Sequence, residues 1–172
     1  MMIQPILNFN SNTQTPQFSP QTTTHLVGTA VVMPNGQRNY CVFDQNKVDC
    51  FVKQKEKALP YLNDILLHSQ NERQITETLY ILDRMLENGT KGIDKMYPTL
   101  SRLNDTQSPN IQTYLAGIYR KTQVPDAFGP LVKMLIQNSI HPNNTAPFDP
   151  NEEIGGAILS YLSDRFRNKP QQ

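Results

Sequence analysis

The sequence predicts a mainly α chain: a short α-solenoid of three helix pairs, preceded by a small antiparallel β-meander and a disordered polar N-terminal tail. Three observations carry that expectation. Apolar residues switch from a two-residue to a 3.6-residue spacing near Lys55. Helix start and stop signals then recur along the rest of the chain. The apolar pattern itself returns at steps of 32 to 43 residues, inside the roughly 20–50-residue range that marks stacked repeats.

Composition bounds the rest. The 172 residues are 37% hydrophobic and 18% charged, with a formal net charge of +1, and length alone suggests one domain plus a tail. Mean hydropathy is −0.53, and no apolar run approaches the ~18 residues of a membrane-spanning helix. The balance of 16 basic and 15 acidic residues argues against a nucleic-acid partner. Two Cys cannot make a disulfide scaffold, and His25, His68 and His141 are widely spaced.

Four segments follow from texture: a tail over 1–26, a β-meander cap over 27–52, a helical repeat domain over 53–168, and a short tail over 169–172. No Asp, Glu, Lys or Arg precedes Arg38. Residues 1–25 are mostly Asn, Gln, Thr, Ser and Pro, a composition that buries too little apolar surface to offset the entropy of ordering. MMIQPILNFN has neither the basic start nor the apolar stretch of a secretory signal, so a cytoplasmic protein is expected. The alternative is an exported bacterial effector, since an uncharged, Ser/Thr/Asn/Gln-rich start resembles an unstructured export signal.

Thr29–Met33 is apolar and β-branched, and Asn35-Gly36 suits a tight hairpin. A two-residue loop there pairs Met33 with Arg38 and Val31 with Tyr40. A second hairpin turning at Gln45-Asn46 sets Phe43 opposite Val48 and Cys41 opposite Cys50. The two Cys then share a non-hydrogen-bonded pair, about 4.5 Å between Cα atoms, which permits a disulfide near its lower limit. Two reduced thiols are the default reading without a secretion signal.

The helices are read in order. Leu59, Leu62, Ile65 and Leu66 form the first stripe. Ser69-Gln-Asn-Glu72 reads as a capping box before Ile75, Leu79, Leu82, Met85 and Leu86, and Asn88-Gly89 stops that helix. Thr90 opens a third, with Ile93, Met96, Tyr97, Leu100 and Leu103. Ser108-Pro109 starts the fourth, carrying Ile111, Leu115 and Ile118. The fifth begins near Pro125 and ends before His141-Pro142. Asp149-Pro150 opens the sixth, with Ile154, Ala157, Ile158, Tyr161 and Leu162 inside.

These six make three pairs. Pro60, Pro98 and Pro130 recur at steps of 38 and 32 residues in the odd helices; Ile75, Ile111 and Ile154 recur at 36 and 43 in the even ones. Over roughly residues 55–167, and best in YPTLSRLNDTQSPNIQTYLAGIY, the chain resembles the HEAT-repeat family. Pro98, Asp105 and Ile111 stand near the family positions. The usual Arg position holds Thr76, Gln112 and Gly155 instead, so the family's Asp–Arg ladder is missing.

No phosphate loop, GxSxG elbow, HExxH or EF-hand motif occurs. Asp83 and Glu87 share a helix face in the spacing of an acid–base pair, a spacing equally that of a solvated face. The expected function is a non-enzymatic adaptor or scaffold, with no catalytic residues, cofactor or metal. The resemblance implies that the second helices of each pair line a groove. Tyr80, Arg84, Tyr114 and Arg120 are its candidate partner-binding residues, because aromatics beside Arg dominate interface hot spots and Arg suits an acidic protein or peptide. The resemblance also leaves open a HEAT-like enzyme, such as a bilin lyase.

Overall fold

The structure is a computed structural model. It describes the backbone of residues 26–27, 30–32, 38–40, 43–142 and 149–167, and side chains over 43–142 and 149–163. Residues 1–25 of the predicted tail, the Asn35-Gly36 turn and Cys41 lie outside the described residues.

The chain is mainly α. The described residues include four short strands: β1 (Leu26–Val27), β2 (Ala30–Val32), β3 (Arg38–Tyr40) and β4 (Phe43–Asp44). β2 and β3 form a hairpin, while β1 pairs across it with β4, so this is a nested arrangement and not the predicted meander. The hairpin register also differs from expectation. Val31 faces Asn39 and Val32 faces Arg38, one residue away from the Val31–Tyr40 pairing that a two-residue loop requires. Proline explains the slip. A loop of Asn35-Gly36 would need Pro34 to donate an amide hydrogen to the closing pair, and proline has none.

The larger correction concerns residues 45–52, which the sequence reading placed in a second hairpin. They belong to a helix, α1 (Gln45–Gln54). Asp44 caps it, its Oδ1 accepting from the amides of Asn46 at 2.9 Å and Lys47 at 3.4 Å. Val48, Phe51 and Val52 stand at i, i+3 and i+4, and Val48 and Phe51 are fully buried. The register that set Cys41 against Cys50 is therefore absent; Cys50 sits half-buried on α1, with Gln54 Nε2 donating to its Sγ at 3.7 Å.

A 3₁₀ turn over Lys55–Ala58 leads into α2 (Leu59–His68), then α3 (Glu72–Glu87). The cap of α3 is Asn71, whose side chain accepts from the Gln74 amide at 3.0 Å. Ser69, the predicted cap, instead accepts the Asn71 amide and donates to Gln74 Oε1. The third predicted helix is broken into a 3₁₀ turn (Ile93–Met96), a single α turn α4 (Tyr97–Leu100) and another 3₁₀ turn (Ser101–Leu103). Pro98 cannot donate to the preceding turn, which limits regular α geometry there. Next comes α5 (Pro109–Thr122), capped by Ser108, whose Oγ accepts from the Ile111 amide at 3.3 Å. After the Pro125–Ala127 3₁₀ turn follow α6 (Phe128–Ile140) and α7 (Asn151–Arg167), the latter begun by Asp149 Oδ1 on the Asn151 amide at 2.9 Å.

One apolar core runs through these elements. α5 packs extensively against both α3 and α7; α2 packs on α3, α6 on α7, and α1 on α3. Gly117 on α5 shows the order directly: a Cβ there would meet Asp83 Oδ1 of α3 at 3.4 Å and Glu153 Oε1 of α7 at 3.5 Å. α5 is thus the middle member of an α3–α5–α7 layer. Among the described residues, no helix is long and apolar enough to cross a membrane.

Candidate functional site

The candidate groove is the α3–α5–α7 layer, and two of its four predicted residues do not face outward. Tyr80 and Tyr114 are 9% and 7% exposed. Phe43 of β4 covers them: its ring centroid lies 4.8 Å from that of Tyr80 and 6.2 Å from that of Tyr114, and the two tyrosine rings meet edge-on at 5.6 Å. Such contacts bury large apolar area in tilted and edge-to-face geometry. The segment 43–54 therefore occupies the face that the sequence left open. Burial raises the Tyr80 hydroxyl above its ordinary pKa.

Behind Phe43, α1 is fastened by a buried ion pair between Lys47 and Glu77 of α3, whose side chains are 1% and 6% exposed. Desolvation disfavours both charges. Burial lowers the Lys47 ammonium from its ordinary pKa and raises the Glu77 carboxyl, while their mutual attraction opposes each shift. Neither residue stood out in the sequence. Glu77 lies outside the Ile75/Leu79/Leu82 stripe and reads as solvent-facing until α1 is placed over it.

The other two candidates, Arg84 and Arg120, remain on the surface, with side chains 41% and 40% exposed. Each is already engaged. Arg84 pairs with Glu87 one turn along α3, and Arg120 Nε donates to Glu153 Oε1 of α7 at 3.1 Å. Lys121 completes the row, donating to Asp83 Oδ1 at 2.6 Å and to Glu87 Oε1 at 3.0 Å. Three cations and three carboxylates thus cross the three helices in alternation. This arrangement does not present a bare basic patch, so the expectation of an acidic partner loses its simplest physical basis.

Asp83 and Glu87 answer to Lys121 rather than to each other. Burial holds the Asp83 carboxyl above its ordinary pKa, whereas the Lys121 hydrogen bond holds that of Glu87 below. An ammonium shared by both carboxylates makes a clasp between α3 and α5 and leaves no free base beside a free acid. Among the described residues, no three His, Cys, Asp or Glu side chains gather as metal ligands. His68 ends α2, and its Nδ1 lies 3.0 Å from both the backbone oxygen and Oδ1 of Asp64.

Two open cavities were not foreseen. One, of about 280 Å³, is lined by Gln123, Pro125, Phe128, Tyr161 and Leu162. Gln123 shapes it from a left-handed helix end at φ 55°, its amide donating to Arg120 O at 2.7 Å and Ser160 Oγ at 2.8 Å. Tyr161 donates to Val124 O at 2.6 Å, and burial pushes its hydroxyl up to about 12. The other cavity, about 220 Å³, is polar and includes Asp105, Gln112, Lys133 and Gln137. Gln112 of this lining exchanges hydrogen bonds with Asn138 at 2.9 and 3.3 Å, and Asn138 donates to Asn151 Oδ1 at 3.0 Å. Neither cavity borders the Asp83–Lys121–Glu87 clasp.

No protein-family model, curated protein or solved structure matches this chain. The functional reading therefore rests on the geometry.

Proposed function

We propose that this chain is a non-enzymatic interaction module, an adaptor or scaffold, built as a short α-solenoid of three HEAT-like helix pairs. The pairs are α2 with α3, α4 with α5, and α6 with α7. The middle position of α5 between α3 and α7 supports the solenoid, because stacked repeats touch only their neighbours. The observation that carries the function is the charge row Arg84, Glu87, Lys121, Asp83, Arg120 and Glu153, alternating in sign across successive second helices, with Lys121 and Asp83 largely buried and the other four partly exposed. Mixed charge in a fixed order favours a protein partner with complementary alternation, and rewards specificity and encounter rate more than raw affinity.

Arg84→Glu together with Arg120→Glu reverses two charges in that row while leaving the buried Phe43–Tyr80–Tyr114 cluster intact. Affinity purification of both forms, followed by mass spectrometry, tests the reading. A partner recovered with the native chain and lost with the variant supports it. The same partner set from both forms removes the charge row from the account.

A further inference from the structure

We infer that residues 43–54 are exchanged between two copies of this chain, with Lys55 as the hinge and α1 of each copy docked on the α3–α5 face of the other. The backbone at Lys55 carries this. Its φ of 51° and ψ of −135° lie outside the small left-handed pocket, at ψ of about +30 to +60°, that residues other than glycine visit. Gln123, the other described non-glycine residue at positive φ, sits inside that pocket at φ 55° and ψ 32°. The closed chain therefore holds strain at one point, between α1 and the 3₁₀ turn that leads into α2. From Gln45 to His68 every residue belongs to α1, that turn or α2, and Lys55 alone has a positive φ. Rotating Lys55 to ordinary helical angles relieves the strain and swings α1 off α3 as an extension of α2. The far side of the hinge is held, since Glu56 Oε1 accepts the Lys91 amide at 3.0 Å.

A swung-out α1 leaves two unsatisfied surfaces. Val48 and Phe51 are fully buried in the closed chain, and Phe43 fills the space against Tyr80 and Tyr114. Opening exposes all three side chains to water and takes the Lys47 ammonium from the buried Glu77 carboxylate. The segment that fits the vacated face carries Phe43, Lys47, Val48 and Phe51 in that order, and a second copy supplies it. Exchange restores the contacts of the closed chain and changes only the hinge, the low-cost route to a dimer. β1, paired with β4, travels with the segment.

The hinge also sets the strength. A flexible tether holds α1 over its own face at an effective concentration on the order of millimolar. Strain relief of roughly tenfold at each of two hinges lowers the dimerisation range by about a hundredfold, to the order of ten micromolar.

Two charge reversals test the exchange. In the closed chain Lys47→Glu sets two carboxylates together and Glu77→Lys sets two ammonium groups together, so each variant alone loses the docking. Refolded together, the two variants regain it by exchange, because both sites of the mixed dimer then pair a carboxylate with an ammonium. The expected product in sedimentation equilibrium has twice the mass of the 19.6 kDa chain, a species that neither variant gives alone. In the native background, Lys55→Gly should weaken dimerisation by about tenfold or more, because glycine takes a positive φ without strain. Lys55→Val should strengthen it, since a β-branched residue tolerates positive φ least. A mixture without a species of twice the mass overturns the inference. So does a native chain that stays monomeric up to about one millimolar, or dimerisation that the two hinge variants leave unchanged.

Discussion

Replacing Lys47 by Met strands Glu77, and the consequence can be worked out. The two side chains are 1% and 6% exposed, and removing one member of a buried pair leaves an uncompensated charge, generally at a cost of about 3–5 kcal/mol. Glu77 has an escape, because it can take up a proton. From its ordinary value of 4.5, holding it neutral at pH 7 costs roughly 3 kcal/mol, which caps the electrostatic loss. The pH dependence has a definite sign. In the variant, burial without the Lys47 ammonium beside it raises the Glu77 carboxyl further, so the folded state keeps a proton that the unfolded state loses above its ordinary pKa, and stability rises as pH falls from 7 to 5, by at most roughly 3 kcal/mol. The double variant Lys47→Met/Glu77→Leu removes both charges and should return to within about 1.5 kcal/mol of the native chain, or exceed it. Urea unfolding of the four proteins at pH 7 and pH 5 measures all of this. A single-variant loss below about 1 kcal/mol, or a loss indifferent to pH, would refute the docking of α1 on α3.

Two further outcomes are expected in the same assay. Phe43→Ala should cost about 3–5 kcal/mol, because the ring is fully buried between Tyr80 and Tyr114; a loss under 1 kcal/mol would mean that β4 does not cover that face. Lys121→Met should cost about 1–2 kcal/mol at pH 7, since the Asp83 side chain it serves is only 15% exposed. Burial raises the Asp83 pKa, so part of that loss should return as pH falls toward the ordinary aspartate range, where the unfolded chain also binds the proton. An Lys121→Met loss that grows on acidification would contradict the Asp83–Lys121 clasp.

Much of the helical architecture was legible locally. Ser108-Pro109, Asp149-Pro150 and Asn88-Gly89 mark helix ends through groups within four residues, and the 3.6-residue spacing of Ile75, Leu79 and Leu82 needs no tertiary knowledge. Residues 45–52 were misread because two local signals compete. Cys41, Val42, Phe43, Val48 and Phe51 have strand-forming texture, yet Asp44 caps, and Val48, Phe51 and Val52 keep helical spacing. Burial against α3 decides between them. The same event governs the candidate site. Tyr80 and Tyr114 lie off the aliphatic stripes and read as outward, and only a chain segment more than thirty residues upstream makes them core. Asn71 displaced Ser69 as the cap for a smaller reason: both are good capping residues two positions apart, and Ser69 was needed by Gln74.

The central claim is that successive helix pairs are laid down in order, with the third pair one step beyond the second. Spin labels at Arg73, Asn110 and Glu152, near the starts of α3, α5 and α7, measure it directly through electron–electron distances. Adjacent helices pack about 10 Å apart. A progressive stack predicts that the Arg73–Glu152 separation is about twice the Arg73–Asn110 separation, whereas a closed bundle with the last helix folded back on the first pair would make the two comparable and contradict it.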